Sequence, residues 1–329
     1  MSDVRVLIVA NRFVEVSRKP IDRLKAEGWE VIEQYHEIGA LREDVFSELV
    51  RGVDAVIVSA TDRVSSRVIE AADKLRIIAV RGVGFQGVDV STATEKKLMV
   101  TNTPGANADA VADLTMGYIL ALARHIPMID RRMRQGEWYR IRTADVYGQT
   151  LGLVGLGEIG KKVAKRAVGF DMRIITYDIV QDLDFARRFG AVYLGLEEVL
   201  TASDFVSIHI PLTESTRGFV GRRELGMMKR SAFLINTARG GVVDEEALYE
   251  ALREDRIAGA ACDVFTEEPT SNSKLLALDN MISTPHIGGY SDKCWSIMAD
   301  MAVENVVVGL KGGVPPHLVN REILDSPAR

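Results

Sequence analysis

Three segments in the last third of the chain each carry one polar residue of a chemically useful kind: Arg239 in Asn236-Thr237-Ala238-Arg239-Gly240-Gly241, Glu268 in Asp263-Val264-Phe265-Thr266-Glu267-Glu268-Pro269, and His286 in Thr284-Pro285-His286-Ile287-Gly288-Gly289. A guanidinium is a planar cationic fork that meets a carboxylate with two parallel hydrogen bonds, which a lysine ammonium does not. An imidazole titrates near neutrality, so it gives and takes a proton. A carboxylate beside it favours the charged form. Each residue also has a plainer reading by itself. A histidine after proline is commonly structural, Glu267-Glu268 reads as a solvated pair, and Arg239 as a salt-bridge partner.

Upstream, Thr150-Leu151-Gly152-Leu153-Val154-Gly155-Leu156-Gly157-Glu158-Ile159-Gly160 contains G-x-G-x-x-G directly after an apolar run and before the helix-like stretch 161–168. In that context Gly155 allows a tight turn, Gly157 lets the backbone approach a pyrophosphate, and Gly160 permits close packing of helix on strand. The phosphates then lie over a helix N-terminus, where free amides and the macrodipole favour an anion. A second strand-like run ends at Asp178, about twenty residues past the last glycine, where a carboxylate accepts the ribose hydroxyls and repels a 2′-phosphate. Ile179 and Val180 offer no cation to rescue that phosphate, so NAD is expected over NADP. Glu158 is a departure, because it sets an acidic residue where a pyrophosphate is expected.

The elements that must position these residues follow a strand–helix–strand rhythm. Apolar runs at 4–10, 29–35, 54–60, 76–81 and 98–101 alternate with amphipathic stretches such as 20–27, and a second series runs at 151–154, 173–177, 191–194, 205–210, 232–236, 258–264 and 281–284. Runs apolar on both faces, separated by helices, predict parallel sheets covered on two sides. The carboxyl ends of such strands share one edge, and ligands bind there. Asp244 is predicted to cap a helix over 245–253. Long helices are predicted over 107–125 and 291–310, the second stopped by Gly312-Gly313-Val314-Pro315-Pro316.

Composition sets the class. The chain has 329 residues, 47% hydrophobic and 26% charged, which suits two soluble globular domains. A net charge of −5 argues against a broad nucleic-acid or anionic-membrane surface. The opening Met1-Ser2-Asp3-Val4-Arg5 leads into no long apolar signal region, and the apolar stretch 106–123 carries Asp109 and Asp113. A cytoplasmic protein with no membrane span is expected. Cys262 and Cys294 have no metal-ligand spacing and fit a reduced compartment; Cys262, inside an apolar run, reads as a buried small hydrophobe, and neither reads as a nucleophile.

Further motifs extend the pattern: Gly82-Val83-Gly84, Asn102-Thr103-Pro104-Gly105, His209-Ile210-Pro211-Leu212-Thr213, and Pro315-Pro316 with Val319-Asn320. With the three polar segments and the glycine fingerprint, they make a set that covers nearly the whole chain. On these residues the chain resembles the D-isomer-specific 2-hydroxyacid dehydrogenase family, in particular its branch similar to 3-phosphoglycerate dehydrogenase without a C-terminal regulatory domain. The resemblance implies a Rossmann-type coenzyme domain and a flavodoxin-like substrate domain, both doubly wound, with the active site in the cleft between them. It places the substrate domain at 1–101 and 287–329 and the coenzyme domain at 102–286, and it has the helix over 107–125 joining a homodimer.

By the same resemblance Arg239 grips the substrate carboxylate and keto oxygen, His286 is the acid for reduction and the base for oxidation, and Glu268 partners His286. Asp263 is implied to hold the nicotinamide carboxamide, with Ile210, Pro211, Thr237, Ala238, His286 and Gly289 beside the cofactor. The amides of Val83 and Gly84 are implied to complete the carboxylate site. The expected reaction is NAD-dependent interconversion of a small D-2-hydroxy acid and its 2-oxo acid, of phosphoglycerate, glycerate/hydroxypyruvate or glyoxylate type. A phosphorylated substrate would need extra cations, for which Arg12, Arg51 and Arg81 are available. Gly87 departs from the family pattern, which has Asn there, and Asp113 stands where Glu is common. Tyr290 and Trp295 either touch substrate or pack, and His209 either lines the adenine side or is structural. The rival reading is an NAD-sensing co-regulator on the same fold.

Overall fold

The computed structural model describes residues 4–36, 41–270 and 274–324. Met1, Ser2 and Asp3 of the opening segment lie outside the described residues. The chain divides into two compact units, one formed by Met1–Asn107 with Tyr290–Arg329 and the other by Ala108–Gly289.

The first unit runs β1 (Arg5–Ile8), α1 (Lys19–Ala26), β2 (Glu30–Glu33), α2 (Glu43–Leu49), β3 (Ala55–Ser59), α3 (Ser66–Ala71), β4 (Ile77–Arg81), α4 (Val90–Glu95) and β5 (Met99–Thr101). The second runs α5 (Ala108–Ala123), α6 (Ile126–Arg134), β6 (Thr150–Val154), α7 (Glu158–Val168), β7 (Arg173–Tyr177), α8 (Leu183–Phe189), β8 (Ala191–Tyr193), α9 (Leu196–Ala202), β9 (Phe205–Ile208), α10 (Arg222–Met227), β10 (Phe233–Asn236), α11 (Glu245–Arg253), β11 (Gly259–Cys262) and β12 (Met281–Ser283). The chain then returns to the first unit with α12 (Asp292–Leu310).

In the first unit the five strands lie in the order β2-β1-β3-β4-β5, all parallel. β3 and β4 are buried along their whole length, and their side chains alternate between two layers. Val56 and Val58 pack with Phe46, Val68, Ile69 and Ala93 of α2 to α4, whereas Ala55 and Ile57 pack with Ile21 and Leu24 of α1 and Ala302 and Val306 of α12. Burying each large apolar side chain is worth roughly 1.5–3 kcal/mol, so the frame is held far more firmly than the loops on its edge.

In the second unit the order is β12-β11-β10-β9-β6-β7-β8, again parallel throughout. α5, α7 and α8 cover one face, and α9, α10 and α11 cover the other. The strand order reverses between β6 and β9, the place where a doubly wound sheet opens a ligand crevice at its carboxyl edge. Asp244 caps α11 as expected, accepting the amides of Glu246 at 3.0 Å and Ala247 at 3.1 Å.

Three details differ from the sequence expectation, each for a local reason. The seams fall after Asn107 and after Gly289 rather than after 101 and 286. Asn102 and Thr103 remain tied to the first unit through the carbonyls of His317 and Gly82, while the amides of His286 and Gly288 bond to Asp263. The helix expected over 107–125 ends at Ala123, and His125, with φ 49°, turns the chain into the separate α6. The strand expected over 205–210 ends at Ile208: the His209 amide makes a last bond to the neighbouring strand, at the Val154 carbonyl at 2.7 Å, and the chain then leaves the sheet at Ile210-Pro211, where proline has no N–H to donate. Among the described residues no helix is long and apolar enough to cross a membrane.

Candidate active site

Parallel strands bring the predicted residues of the second unit to one edge. After β10 the buried Asn236 stitches the turn that presents Arg239: its Oδ1 accepts the Ala238 amide at 3.1 Å and its Nδ2 donates to the Arg239 carbonyl at 3.1 Å. The half-buried Arg239 spends one N–H, from Nη1, on the Ala238 carbonyl at 2.7 Å. Its remaining donors form the planar fork that a carboxylate matches.

After β11 the chain turns so that Glu268 Oε1 accepts the Phe265 amide at 2.9 Å, and Oε2 lies 2.6 Å from Nδ1 of His286, which follows β12. Burial alone would raise the Glu268 carboxyl. The hydrogen bonds from His286 and from the Phe265 amide, with the charges of His286 and Arg239, outweigh that and hold it below the ordinary value. Glu268 is therefore ionised across the neutral range. With Nδ1 engaged, Nε2 is the ring nitrogen left for a substrate proton. The imidazole side chain is 49% exposed, so Nε2 stands on an accessible edge.

Asp263, 1% exposed, organises the loop that carries His286. Its Oδ1 accepts the Thr284 hydroxyl and, at 2.8 Å, the Ile287 amide; its Oδ2 accepts the Gly288 amide at 2.7 Å. Oδ1 is thereby saturated, and Oδ2 keeps one lone pair for a further donor. Burial pushes the Asp263 carboxyl up in spite of these bonds. Sequence reasoning missed two hydroxyls of α5 that reach this edge. Tyr118 bonds Thr284, and Thr115 lies 3.1 Å from the Thr237 hydroxyl. The available signal was a tyrosine within a largely apolar helix, since a buried phenol needs a partner.

The glycine fingerprint occupies the turn from β6 into α7. Gly155 has φ +100°, and a Cβ there would lie 2.9 Å from the His209 carbonyl, so only glycine fits. At Gly157, by contrast, a Cβ would meet nothing within 4 Å. Open ground thus lies over the first turn of α7, where amide donors suit a pyrophosphate, and the loop fits a dinucleotide. Glu158 is the first residue of α7 and is exposed; Ile159 is half-buried and Gly160 buried. Asp178, at the end of β7, accepts the Leu156 amide at 2.6 Å and the Val180 amide at 3.0 Å, which ties the second strand to the glycine loop and leaves each oxygen a free lone pair. Ile210 and Pro211 follow β9 on the same edge, and Ile210 packs against Gly155.

His209 is half-buried as a residue, but its Nδ1 is shielded from solvent with no partner among the described residues, and its Nε2 lies 2.9 Å from the Ser207 hydroxyl. Burial pushes its pKa down to about 3, so the ring is neutral. It serves the turn rather than proton transfer. Both cysteines are free and buried. Burial pushes the Cys262 thiol up to about 12 and the Cys294 thiol up to about 11.

In the first unit, Val83 and Gly84 form the loop after β4, where the Asn102 side chain donates to the Val83 carbonyl at 2.8 Å. The departure at Gly87 has a steric cause, because a Cβ there would lie 2.3 Å from the Asp62 carbonyl oxygen. In the second unit Asp113 accepts from Arg166 at 2.6 Å, linking α5 to α7. Of the three candidate cations, Arg51 follows α2 on the amino side of β3, away from the ligand edge, and Arg12 pairs with Glu15 at 3.6 Å. Arg81 is 6% exposed, donates to the Asn11 carbonyl at 2.8 Å and stacks over Trp295 at 5.0 Å. Trp295 packs, with the exposed Tyr290 ring against its edge.

A glycine loop at the switch point of a parallel sheet, with a carboxylate–imidazole pair on the same edge, defines a dinucleotide-dependent oxidoreductase. Residues 116–288 match the family described as D-isomer specific 2-hydroxyacid dehydrogenase, NAD binding domain. The chain is 43% identical over 310 residues to a glyoxylate reductase of Korarchaeum cryptofilum, covering 90% of this chain and 93% of that protein. It is 39% identical over 306 residues to a D-3-phosphoglycerate dehydrogenase of Methanocaldococcus jannaschii, covering 91% of this chain and 58% of that protein. A solved glyoxylate reductase from Paecilomyes thermophila superposes with a TM-score of 0.84 at 28% identity, covering 98% of this chain and all of that one. The chain belongs to the D-isomer specific 2-hydroxyacid dehydrogenases. It is an oxidoreductase that uses a nicotinamide dinucleotide and acts on the CH–OH group of small 2-hydroxy acids or the matching 2-oxo acids.

Proposed function

We propose that the chain reduces a small unphosphorylated 2-oxo acid, of glyoxylate or hydroxypyruvate type, with His286 as acid and Arg239 as carboxylate anchor. The observation that carries this reading is the His286 Nδ1 to Glu268 Oε2 pair at 2.6 Å, on the edge that also presents Arg239. When bound, a reduced nicotinamide supplies a hydride to the carbonyl carbon. The Arg239 fork holds the carboxylate so that the carbonyl is fixed in orientation. Glu268 holds the imidazole by Nδ1, and His286 Nε2 gives its proton to the carbonyl oxygen as the hydroxyl forms. In oxidation the neutral ring takes that proton back. The amides of Val83 and Gly84 are proposed as further carboxylate donors.

The cofactor residues proposed are Gly155, Gly157, Glu158, Ile159 and Gly160 for the pyrophosphate turn, Asp178 for the ribose, and Ile210, Pro211, Thr237, Ala238, His286 and Gly289 along the edge. The free lone pair of Asp263 Oδ2 suits a carboxamide N–H. The Asp178 carboxylate, followed by the exposed Ile179 and Val180, supports NAD over NADP. Two observations favour an unphosphorylated substrate. Relatives such as that of Korarchaeum cryptofilum are glyoxylate reductases, and Arg12, Arg51 and Arg81 are paired, misplaced or buried.

A homodimer is proposed, with the joint moved from the helix expected over 107–125, whose counterpart α5 is largely buried, to α6 and the segment after it, where Ile126, Met133, Trp138 and Tyr147 are exposed. A cytoplasmic location is proposed on the sequence grounds given above. Initial rates of the purified protein with NADH and NADPH against glyoxylate, hydroxypyruvate, 3-phosphohydroxypyruvate and pyruvate test the reading. A preference for the phosphorylated acid overturns the substrate assignment, and an active His286→Ala protein overturns the mechanism.

A further inference from the structure

We propose that Tyr118 and Thr284 are positioning residues for His286, acting through a buried run of hydroxyls that passes from α5 to the carboxylate of Asp263. This inference rests on His286 being the proton donor, as proposed above.

Tyr118 is 3% exposed within the largely apolar α5, so its hydroxyl must find a partner inside the protein. It finds Thr284, whose own hydroxyl meets Asp263 Oδ1. Proton counting sets the direction. A threonine hydroxyl has one proton, and a carboxylate only accepts, so Thr284 donates to Asp263 and Tyr118 donates to Thr284. Each link is polarised by the next toward the negative charge, which strengthens both.

What the run stabilises is the backbone beneath the imidazole. His286 has φ +54°, a left-handed conformation that is unfavourable for a residue with a Cβ and persists only where its surroundings over-determine it. Its own amide bonds the Asp263 carbonyl at 2.8 Å, and the next two amides, of Ile287 and Gly288, bond the two oxygens of the Asp263 side chain. One buried residue therefore fixes three successive amides, the first through its carbonyl and the next two through its carboxylate, provided that the carboxylate stays ionised and in place. Burial works against that, and the hydroxyl of Thr284, backed by Tyr118, works for it. Neither hydroxyl belongs to the Arg239 turn, so loss of either should loosen the acid while leaving the carboxylate anchor as it was.

Tyr118→Phe and Thr284→Val each remove one link, with Thr284→Ser as the conservative control. Expected are falls in kcat of about tenfold for Tyr118→Phe and on the order of a hundredfold for Thr284→Val, from the loss of one hydrogen bond and then of a donor to a buried charge. KM for the 2-oxo acid should stay within about twofold, and Thr284→Ser should keep most of the rate. A second readout needs no turnover: in the protein without cofactor, amide hydrogen exchange at Ile287 and Gly288 should quicken about tenfold or more in the Phe and Val variants and stay near the parent in Thr284→Ser. Unchanged exchange and kcat in Tyr118→Phe and Thr284→Val, with His286→Ala inactive, overturn the inference alone. So does a loss shared equally by kcat and KM that Thr284→Ser fails to rescue. A fully active His286→Ala protein instead overturns the acid–base reading on which it rests.

Discussion

Glu268 holds His286 while being held itself: one carboxylate oxygen lies 2.6 Å from the imidazole Nδ1, and the other accepts the Phe265 amide three residues back at 2.9 Å. The charge beside the ring is thus fixed to its own turn, and the neighbouring Glu267 has no such place.

That arrangement gives a pH signature. Glu268, its carboxyl held below the ordinary value, is negative throughout the working range and stands 2.6 Å from the imidazole that gives the proton. In Glu268→Gln that charge is gone, and the rate of reduction should decline at a lower pH than in the parent. Glu267→Gln should leave the profile in place. Rate profiles for all three proteins check this, and a shift in Glu267→Gln alone would assign the role to the wrong carboxylate.

Arg239→Lys should raise KM for the 2-oxo acid and lower kcat, since a point charge cannot keep two parallel bonds. Losing a buried charged partner costs roughly 2–5 kcal/mol, or about 30- to 5000-fold in kcat/KM. Steady-state kinetics decide, and a near-normal kcat/KM removes Arg239 from the site.

Asp178→Ala should weaken NADH binding and relax discrimination against NADPH. Because Asp178 also accepts the Leu156 amide at 2.6 Å, that variant slackens the glycine loop as well. Asp178→Asn keeps an acceptor and removes only the charge, so fluorescence titrations with both cofactors separate the two effects. Equal affinities in all three proteins would refute the assignment.

The neutral His209 should make the fold acid-sensitive. Its pKa is lowered by burial from 6.5 to about 3, so between those values the unfolded chain binds a proton that the folded one refuses. Stability then falls as pH drops below about 6.5, by up to about 1.4 kcal/mol per pH unit from this one group. Urea unfolding as a function of pH should show a flatter dependence in His209→Asn than in the parent. Identical slopes would show that the ring is not buried as described.

Much of this was readable in advance because it is local in sequence. The glycine turn, the Asp244 cap and the strand–helix rhythm each depend on neighbours a few positions apart, and backbone geometry imposes them there. The strand order was not readable, since it is set by which apolar faces meet across the whole chain. The first long helix ends within two residues of its expected end; what escaped is α6, although Pro127 stands in its first turn, because the left-handed turn that starts it is taken by His125 rather than by a glycine. Tyr118 and Thr284 lie 166 positions apart, and only the packing of α5 against the second sheet brings their hydroxyls together. Gly87 is instructive in the other direction: in sequence it is only a departure from the family pattern, and its cause is the Asp62 carbonyl, from a different turn.

The placement of α12 bears on how the protein is made. Residues Ala108–Gly289 form one unbroken stretch, so the larger unit has all its strands once Gly289 has been synthesised. The smaller unit is different. Its five strands are complete at Thr101, yet Ala299, Ala302, Val303 and Val306, which cover one face of that sheet, are nearly two hundred residues away along the chain. On the ribosome Val6, Ile8, Ala55 and Ile57 must therefore wait, with part of their covering absent, while the whole inserted unit is translated. That face is the surface a nascent chain of this protein would offer to a chaperone.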